Sequence, residues 1–292
     1  MAKKRAKTKP SITIVGPGNL GTALATELAR IGYPIRQIVS RRDSAGVSAA
    51  RALARRVRAQ HSFLGEAVLD TEITWLTVPD DAVAGVARQL AASQSWKGKI
   101  VLHPSGARTS DELSALKKKG AAVASAHPMM TFVRGRKPRW RDVPFDIEGD
   151  DAAVRAAREI ASTLGASPYV LEKRHKTLYH AFGSFASPLV IALMSAMEQV
   201  AEAAGVPPQK AKAMVWPLLS QTLQNYLKKD GAKAFSGPLA RGDVKTLRRH
   251  LAELRRTPHA REVYLALARA AIERLPVRNK EELQKELMLT ER

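Results

Sequence analysis

Cysteine is absent from the 292-residue chain. Its absence excludes disulfide bonds, thiolate metal sites and a cysteine nucleophile, and it suits a cytoplasmic location, which we take as the expectation. No apolar run in the sequence approaches the ~20 residues that span a bilayer, so we expect no membrane partner. Aromatic residues are also scarce, at 5%. That scarcity disfavours binding of single-stranded nucleic acid by base stacking.

Acidic residues are few beside basic ones, with 27 against 48 and a formal net charge of +21. Such an excess can attract nucleic acid or a membrane surface. Part of it lies in residues 1–10, which lack the apolar core of a signal peptide and which we interpret as a disordered basic tail. The remainder is spread over helix-like segments, as on solvated helix faces, and no base-reading motif is recognisable. Nucleic acid is therefore not the expected partner.

The first half of the chain alternates short apolar runs with helix-like segments. The predicted strands are residues 12–16, 35–39, 73–78, 99–103, 122–126, 144–148 and 168–171. This rhythm predicts an α/β domain over residues 11–172, built on a Rossmann-type, doubly wound and mostly parallel sheet. Residues 173–292 lack strand signals, and their apolar residues recur in steps of three and four. An all-α C-terminal domain is therefore expected.

A glycine-rich loop joins the first predicted strand to the first predicted helix. It consists of Gly16, Pro17, Gly18, Asn19, Leu20 and Gly21. The spacing matches the GxGxxG fingerprint in the strand-to-helix context that the fingerprint requires. Its first glycine allows a tight turn, its second lets a pyrophosphate approach the backbone, and its third lets the helix pack closely on its strand. The loop predicts a dinucleotide site, and the alternative is a glycine turn without a ligand.

The end of the second predicted strand indicates which dinucleotide is bound. Proteins that bind NAD place a carboxylate there against the ribose, whereas this chain has Ser40, Arg41 and Arg42. A hydroxyl and two guanidinium groups suit a 2′-phosphate, which a carboxylate would repel. NADP is therefore the predicted cofactor. The alternative is that both arginines are solvated and Asp43 turns toward the ribose.

Two histidines, His103 and His127, fall at the carboxyl ends of predicted strands, where an open sheet of this kind gathers its ligands. Either could give a proton to a carbonyl or imine that accepts hydride, because histidine titrates near neutral pH. Either ring could instead be held by its own loop backbone. No carboxylate with metal-ligand spacing accompanies them, so no metal is expected. Val78 and Pro79, at the end of another strand, are predicted to border the cofactor.

A polar row on the first helix of the C-terminal half provides further candidates. Its members Lys176, His180, Ser184 and Ser187 share one face. The row faces either the cleft between the domains or solvent, and His180 is the third candidate proton donor. Pro188 cannot bond the carbonyl of Ser184, which predicts a kink in this helix.

Motifs from both halves of the chain carry a family resemblance. They are VGPGNLGTAL, LTVPDDAV, HPSGA, SAHPMMTF, PFDIEGD, LYHAFGSFAS, WPLLSQTLQN and SGPLARGDVKTLRRHL. The chain resembles the Rossmann-like proteins whose helical C-terminal half is a domain of unknown function, distant relatives of pyrroline-5-carboxylate reductase and of the deazaflavin-dependent NADP reductases. The resemblance implies an NADP-binding domain, a reductase activity without an established substrate, and an all-α dimerisation domain like the C-terminal domain of 6-phosphogluconate dehydrogenase.

The resemblance also implies roles for single residues. The three loop glycines would bind the pyrophosphate, and the cleft would be lined by His103, His127, Tyr179 and His180. Members of the family more often have asparagine at the position of Ser187, which puts a catalytic role for Ser187 in doubt. In the hallmark GPLARGD, Arg241 could hold an acidic substrate, although a turn followed by a helix cap at Asp243 explains the motif structurally.

The sequence therefore predicts an NADPH-dependent oxidoreductase. It would transfer hydride to a small carbonyl or imine substrate at the interdomain cleft, with His103, His127 or His180 supplying the proton. The alternative is a non-catalytic NADP-binding sensor or regulatory protein. A homodimer is expected, because the helical half has more apolar helix surface than its own packing needs.

Overall fold

The computed structural model describes residues 8–42, 46–66, 68–133, 135–228 and 231–289. The chain divides into two compact units, Met1–Ser184 and Phe185–Arg292. The boundary predicted after residue 172 falls inside the first unit. Most of the predicted basic tail and Asp43 lie outside the described residues.

The first unit is built on one sheet. Its strands are β1 Ile12–Val15, β2 Ile35–Ser40, β3 Gln60–Phe63, β4 Ile73–Leu76, β5 Ile100–His103, β6 Ala122–Pro128, β7 Pro144–Gly149 and β8 Ser167–Val170. The spatial order is β3-β2-β1-β4-β5-β6-β7-β8. All neighbouring strands run parallel except β6 and β7, which are antiparallel. The predicted Rossmann-type, mostly parallel sheet is confirmed.

Helices cover both faces of this sheet. They are α1 Asn19–Arg30, α2 Val47–Arg56, α3 Val83–Ser93, α4 Ser114–Lys118 and α5 Asp151–Thr163, and a further helix, α6 Lys176–Ala186, follows β8 in the chain. Alternate residues of a strand enter opposite layers, so Ile12 and Ile14 join the core that contains α1 and α5, and Val15 joins the core that contains α3. This two-sided burial explains why the central strands read as continuous apolar runs.

The edge strand β3 was not predicted. Its sequence, QHSF, contains one apolar residue, and its side chains are exposed or only half-buried. An edge strand covered on so little of its surface does not need the apolar run that marks its buried neighbours. Backbone pairing with β2 holds β3 in the sheet instead.

The second unit is helical, as predicted. Its helices are α7 Pro188–Ala203, α8 Pro208–Lys228, α9 Gly231–Ala234, α10 Pro238–Arg241, α11 Val244–Glu253, α12 Pro258–Arg274 and α13 Lys280–Leu289. A small core joins α11, α12 and α13 through Leu247, Leu251, Leu265, Ile272, Leu283 and Leu287. The GPLARGD motif forms a turn in which Gly237 and Gly242 have positive φ, and Asp243 then caps α11 by accepting from the Thr246 amide at 3.0 Å. The structural interpretation of this motif accounts for the geometry.

The predicted kink is present, because α6 and α7 are separate helices. Ser187 lies between them with φ −126° and ψ −84°, and Pro188 is the first residue of α7. An 18-residue window within Lys173–Ala203 nevertheless has a mean hydropathy of 1.4, which is apolar enough to cross a membrane. This criterion uses length and composition alone, and one such helix is weak evidence for a membrane span.

Candidate functional site

The glycine loop of the first unit is shaped by contacts with the end of β4. Gly16 has a φ of +90°, and a Cβ there would lie 2.7 Å from Cγ1 of Val78. A Cβ on Gly21 would lie 2.6 Å from the carbonyl oxygen of Gly16 and closer still to the hydroxyl of Thr77. That hydroxyl donates to the Gly16 carbonyl at 2.7 Å. The first and third glycines are therefore required by the fold itself.

Gly18 differs from these two glycines. A Cβ at this position would meet no heavy atom within 4 Å, so the space beside its backbone is open. Gly18 is also the N-cap of α1, whose first turn contains no acidic residue and is capped by no side chain of the described residues. Open space beside uncapped helix amides is what a pyrophosphate needs. The loop thus fits the dinucleotide predicted from its sequence.

The residues predicted to read the ribose lie at the end of β2. The Arg42 guanidinium forms an ion pair with Glu66, and its Cζ lies 4.4 Å from the centre of the Phe63 ring. Arg41 is exposed. Ser40 is buried, and its hydroxyl lies 3.0 Å from Nε2 of His61. Glu66 holds the Arg42 side chain in place in this structure. A phosphate bound by Arg42 would compete with that ion pair.

His103 is anchored within its own loop. Its ring is fully buried, with Nε2 donating to the Thr109 carbonyl at 3.0 Å and Nδ1 accepting from the Ser105 amide at 3.2 Å. Burial lowers the pKa of His103 to about 4, despite the opposing effect of the bond to Thr109. Both nitrogens are occupied and the ring is neutral at physiological pH. The geometry therefore favours the loop-anchoring alternative over proton donation by His103.

This burial makes a prediction about stability. In the unfolded chain His103 takes up a proton near pH 6.5, whereas in the folded chain it does so only near pH 4. Between these values the unfolded state binds more protons, so stability should fall as the pH falls, by roughly 3 kcal/mol in total. Urea unfolding of wild type and His103→Gln from pH 4 to 7.5 tests this. An equally steep decline in the variant would show that His103 is not the source.

His127 takes part in a buried charge network with Asp146 and Lys176. Asp146 lies opposite His127 in the antiparallel register of β6 and β7, and its Oδ1 is 2.7 Å from Nδ1 of His127. Its other oxygen accepts from Nζ of Lys176, in α6, at 2.8 Å. Asp146 and Lys176 have no exposed side-chain surface, whereas 17% of the His127 side chain is exposed.

The carboxylate of this network orients the His127 ring. Burial alone would raise the pKa of Asp146, but the hydrogen bond from His127 and the charge of Lys176 hold it below its ordinary value. Because the ionised carboxylate accepts from Nδ1, Nε2 is the nitrogen of His127 that can exchange a proton with a ligand. Lys176 balances the charge of Asp146, so the trio is neutral when the imidazole is neutral and carries +1 when it is protonated.

The loop after β5 lies against both His127 and His180. The two ring centres are 6.0 Å apart. A Cβ on Gly106 would lie 2.9 Å from Nε2 of His127 and closer still to Cδ2 of His180, so only glycine lets this loop approach both rings. Tyr179, which the resemblance assigns to the same site, stacks instead on Tyr169 with ring centres 6.5 Å apart. Of the three predicted proton donors, His127 and His180 thus lie side by side, whereas His103 is bonded to the backbone of its own loop.

Three contributors to this site were missed or misread from the sequence. Asp146 lies on a predicted strand. The alternation of apolar and acidic residues along that strand carries no functional signal. Gly106 has no sequence signal beyond its place in the motif HPSGA. Lys176 was assigned to a polar row facing the cleft or solvent, but it faces neither, because its ammonium group is buried against Asp146.

Two family models match the chain. A Rossmann-like domain matches residues 2–128, and the Domain of unknown function (DUF2520) matches residues 143–271. No curated protein matches the chain significantly.

Several solved structures have a similar fold over nearly the whole chain. A candidate NADP oxidoreductase from Bacteroides fragilis is 23% identical, with a TM-score of 0.74 over 91% of this chain and 99% of its own. An imine reductase from Myxococcus stipitatus in complex with NADP⁺ is 15% identical, with a TM-score of 0.67 over 96% of this chain and 100% of its own. A reductive aminase from Aspergillus terreus in complex with NADPH4, cyclohexanone and allyl amine is 18% identical, with a TM-score of 0.63 over 95% of this chain and 99% of its own. At these identities the likeness shows a shared fold.

Proposed function

We propose that the chain, which joins a Rossmann-like domain to the domain of unknown function DUF2520, is an NADPH-dependent oxidoreductase acting on a small carbonyl or imine. One observation carries the proposal: the first unit combines an open glycine cradle with a histidine whose ring is oriented by a buried carboxylate. A cradle alone would serve any nucleotide-binding protein. An oriented, partly exposed imidazole adds a group that can deliver a proton.

The residues of the glycine loop would hold the cofactor. Main-chain amides at the start of α1 would bind its pyrophosphate beside Gly18, and Arg41 and Arg42 would bind the 2′-phosphate. Val78, which contacts the turn at Gly16, would border the ribose or the nicotinamide together with Pro79. When bound, NADPH supplies the hydride.

His127 is the proton donor that we assign. In its protonated form, Nε2–H would donate to the carbonyl oxygen or imine nitrogen of the substrate while Nδ1–H stays bonded to Asp146. The carboxylate holds the ring in place through Nδ1, and Lys176 in turn holds the other oxygen of that carboxylate. His180 would shield the donor or orient the substrate from α6. The neighbours described as imine reductase and reductive aminase support imines and carbonyls as the substrate class.

Oxidation of NADPH in the presence of keto acids, semialdehydes and cyclic imines tests the proposed activity. Turnover of at least one class at a rate well above the substrate-free background is the expected result. If NADPH binds but every substrate class stays silent, the regulatory alternative becomes the better account.

Two glycine variants should separate cofactor binding from folding. Gly18→Ala places a methyl group in open space at an ordinary φ of −72°, so it should cost less than about 1 kcal/mol of stability but weaken NADPH binding at least about tenfold. Gly21→Ala drives a Cβ into the Gly16 carbonyl and should cost about 1–3 kcal/mol. Thermal unfolding and fluorescence titration measure both. Unchanged NADPH affinity in Gly18→Ala would remove the cradle from the binding site.

A homodimer is the oligomeric state that we propose. In the second unit, large apolar side chains of α7 and α8 are exposed in the single chain: Ile191, Met214, Trp216, Leu218 and Leu227. Monomeric proteins rarely expose so many large apolar side chains on neighbouring helices, and a second copy would cover them. Light scattering at micromolar concentration should give twice the mass of the 31.8 kDa chain. A monomer would contradict the proposal.

A further inference from the structure

A histidine without a sequence signal lies next to the residues predicted to read the ribose. His61 is in the edge strand β3, and its Nε2 is 3.0 Å from the hydroxyl of Ser40. The same hydroxyl donates to the carbonyl of Arg41 at 3.2 Å. Because the hydroxyl hydrogen is used in that bond, the Ser40 oxygen accepts a hydrogen from His61. Two successive hydrogen bonds therefore link the His61 imidazole, through the Ser40 hydroxyl, to the Arg41 carbonyl at the end of β2.

Positive charges dominate around this imidazole. Partial burial, followed by the charge of Arg51 on α2, lowers the pKa of His61. The Phe63 ring packs edge-on against the His61 ring, with ring centres 5.0 Å apart, and the Arg42 guanidinium lies over the same phenyl ring. Glu66, the acidic partner of Arg42, is held in that ion pair. Without an anion, the surroundings favour a neutral His61, and a bound anion would reverse that preference.

We propose that His61 is a positioning residue for the 2′-phosphate of NADPH and acts through Ser40. The proposal rests on the proposed function, since in this fold the end of the second strand faces the cofactor ribose. On binding, the Ser40 hydroxyl turns from the Arg41 carbonyl to a phosphate oxygen while it still accepts from Nε2 of His61. The phosphate dianion stabilises the protonated imidazole, so His61 takes up a proton as the cofactor binds.

Proton uptake makes the selection of cofactor dependent on pH. By linkage, affinity for NADPH must rise as the pH falls wherever binding takes up protons, by at most about tenfold per pH unit for one proton. NADH has no 2′-phosphate and should not show this dependence. The 2′-phosphate itself gains a proton near pH 6. That effect is common to all variants of the protein, so a comparison of variants isolates the contribution of His61.

The test is to titrate wild type and His61→Gln with NADPH and with NADH from pH 6.5 to 8.5. Wild type should prefer NADPH increasingly as the pH falls, by about threefold or more over this range, and His61→Gln should lose that gain. Calorimetry of NADPH binding in buffers of different ionisation enthalpy should show less proton uptake by the variant. Gln60→Ala, an exposed neighbour on the same strand, is the matched control and should retain the wild-type dependence.

The outcomes distinguish this inference from the function on which it rests. Binding of neither nucleotide by wild type would overturn both. Binding of NADPH with the same pH dependence in wild type and His61→Gln would overturn the role of His61 and leave the cofactor assignment in place. Ser40→Ala provides a second variant: it should lose the same pH dependence although His61 is present, and retention of that dependence would rule out the route through Ser40.

Discussion

Replacing Lys176 by methionine should lower the free energy of unfolding by about 3–5 kcal/mol. The ammonium group is fully buried and its hydrogen-bond partner is the equally buried carboxylate of Asp146. The variant removes one charge and leaves the other inside the protein, where water cannot solvate it. Denaturant unfolding at pH 7 measures the loss directly.

Two further measurements make this prediction specific to the buried pair. The double variant Lys176→Met with Asp146→Asn should recover a large part of the loss, because it removes both charges. Lys173→Met is the matched control three residues away: its ion pair with Asp111 is solvated, with 44% and 72% of the two side chains exposed. That control should change stability by less than about 0.5 kcal/mol. Equal effects of Lys176→Met and Lys173→Met would mean that the burial of Lys176 has no energetic consequence.

Replacing His127 by glutamine should reduce turnover by about 10²–10⁴-fold, the usual range for losing a positioned proton donor. Glutamine retains a group that can bond to Asp146 but cannot exchange a proton at the position of Nε2. Affinity for NADPH should change little, because the glycine loop lies between β1 and α1, whereas His127 lies on β6. Steady-state rates with the best substrate class, together with an NADPH titration, separate these effects.

Histidine controls decide which ring is the donor. His175→Gln, at an exposed position just before α6, should leave turnover unchanged. His127→Gln should also abolish the limb of the pH–rate profile that reports the acid, which a purely structural role would not do. If His127→Gln stays active while His180→Gln loses turnover, the donor is His180 and the assignment of His127 is wrong.

The sequence could predict what depends on local pattern. Continuous apolar runs mark strands buried on both faces, and a glycine fingerprint between strand and helix marks the loop that follows β1. Even the break before α7 follows from Pro188 alone. The sequence does not predict β3, because this strand forms through backbone pairing with β2 and its own side chains show no strand pattern.

The sequence could not separate His103 from His127. Each lies at the carboxyl end of a strand and precedes a proline, so the local patterns are alike. What differs is the chain around them: His103 is bonded to its own loop, whereas His127 faces Asp146 because β7 runs antiparallel to β6. Such long-range pairings, and the burial of Lys176 that accompanies them, depend on tertiary packing. Composition and spacing do not contain that information.

Calorimetric titration of the purified chain with NADPH and NADH shows whether the glycine loop binds a dinucleotide. We expect heat of binding for NADPH at submillimolar concentration and weaker binding for NADH, since NADH lacks the 2′-phosphate that we propose Arg41 and Arg42 bind. The absence of heat from both nucleotides would contradict this expectation. The open space beside Gly18 would then have no role in binding a dinucleotide.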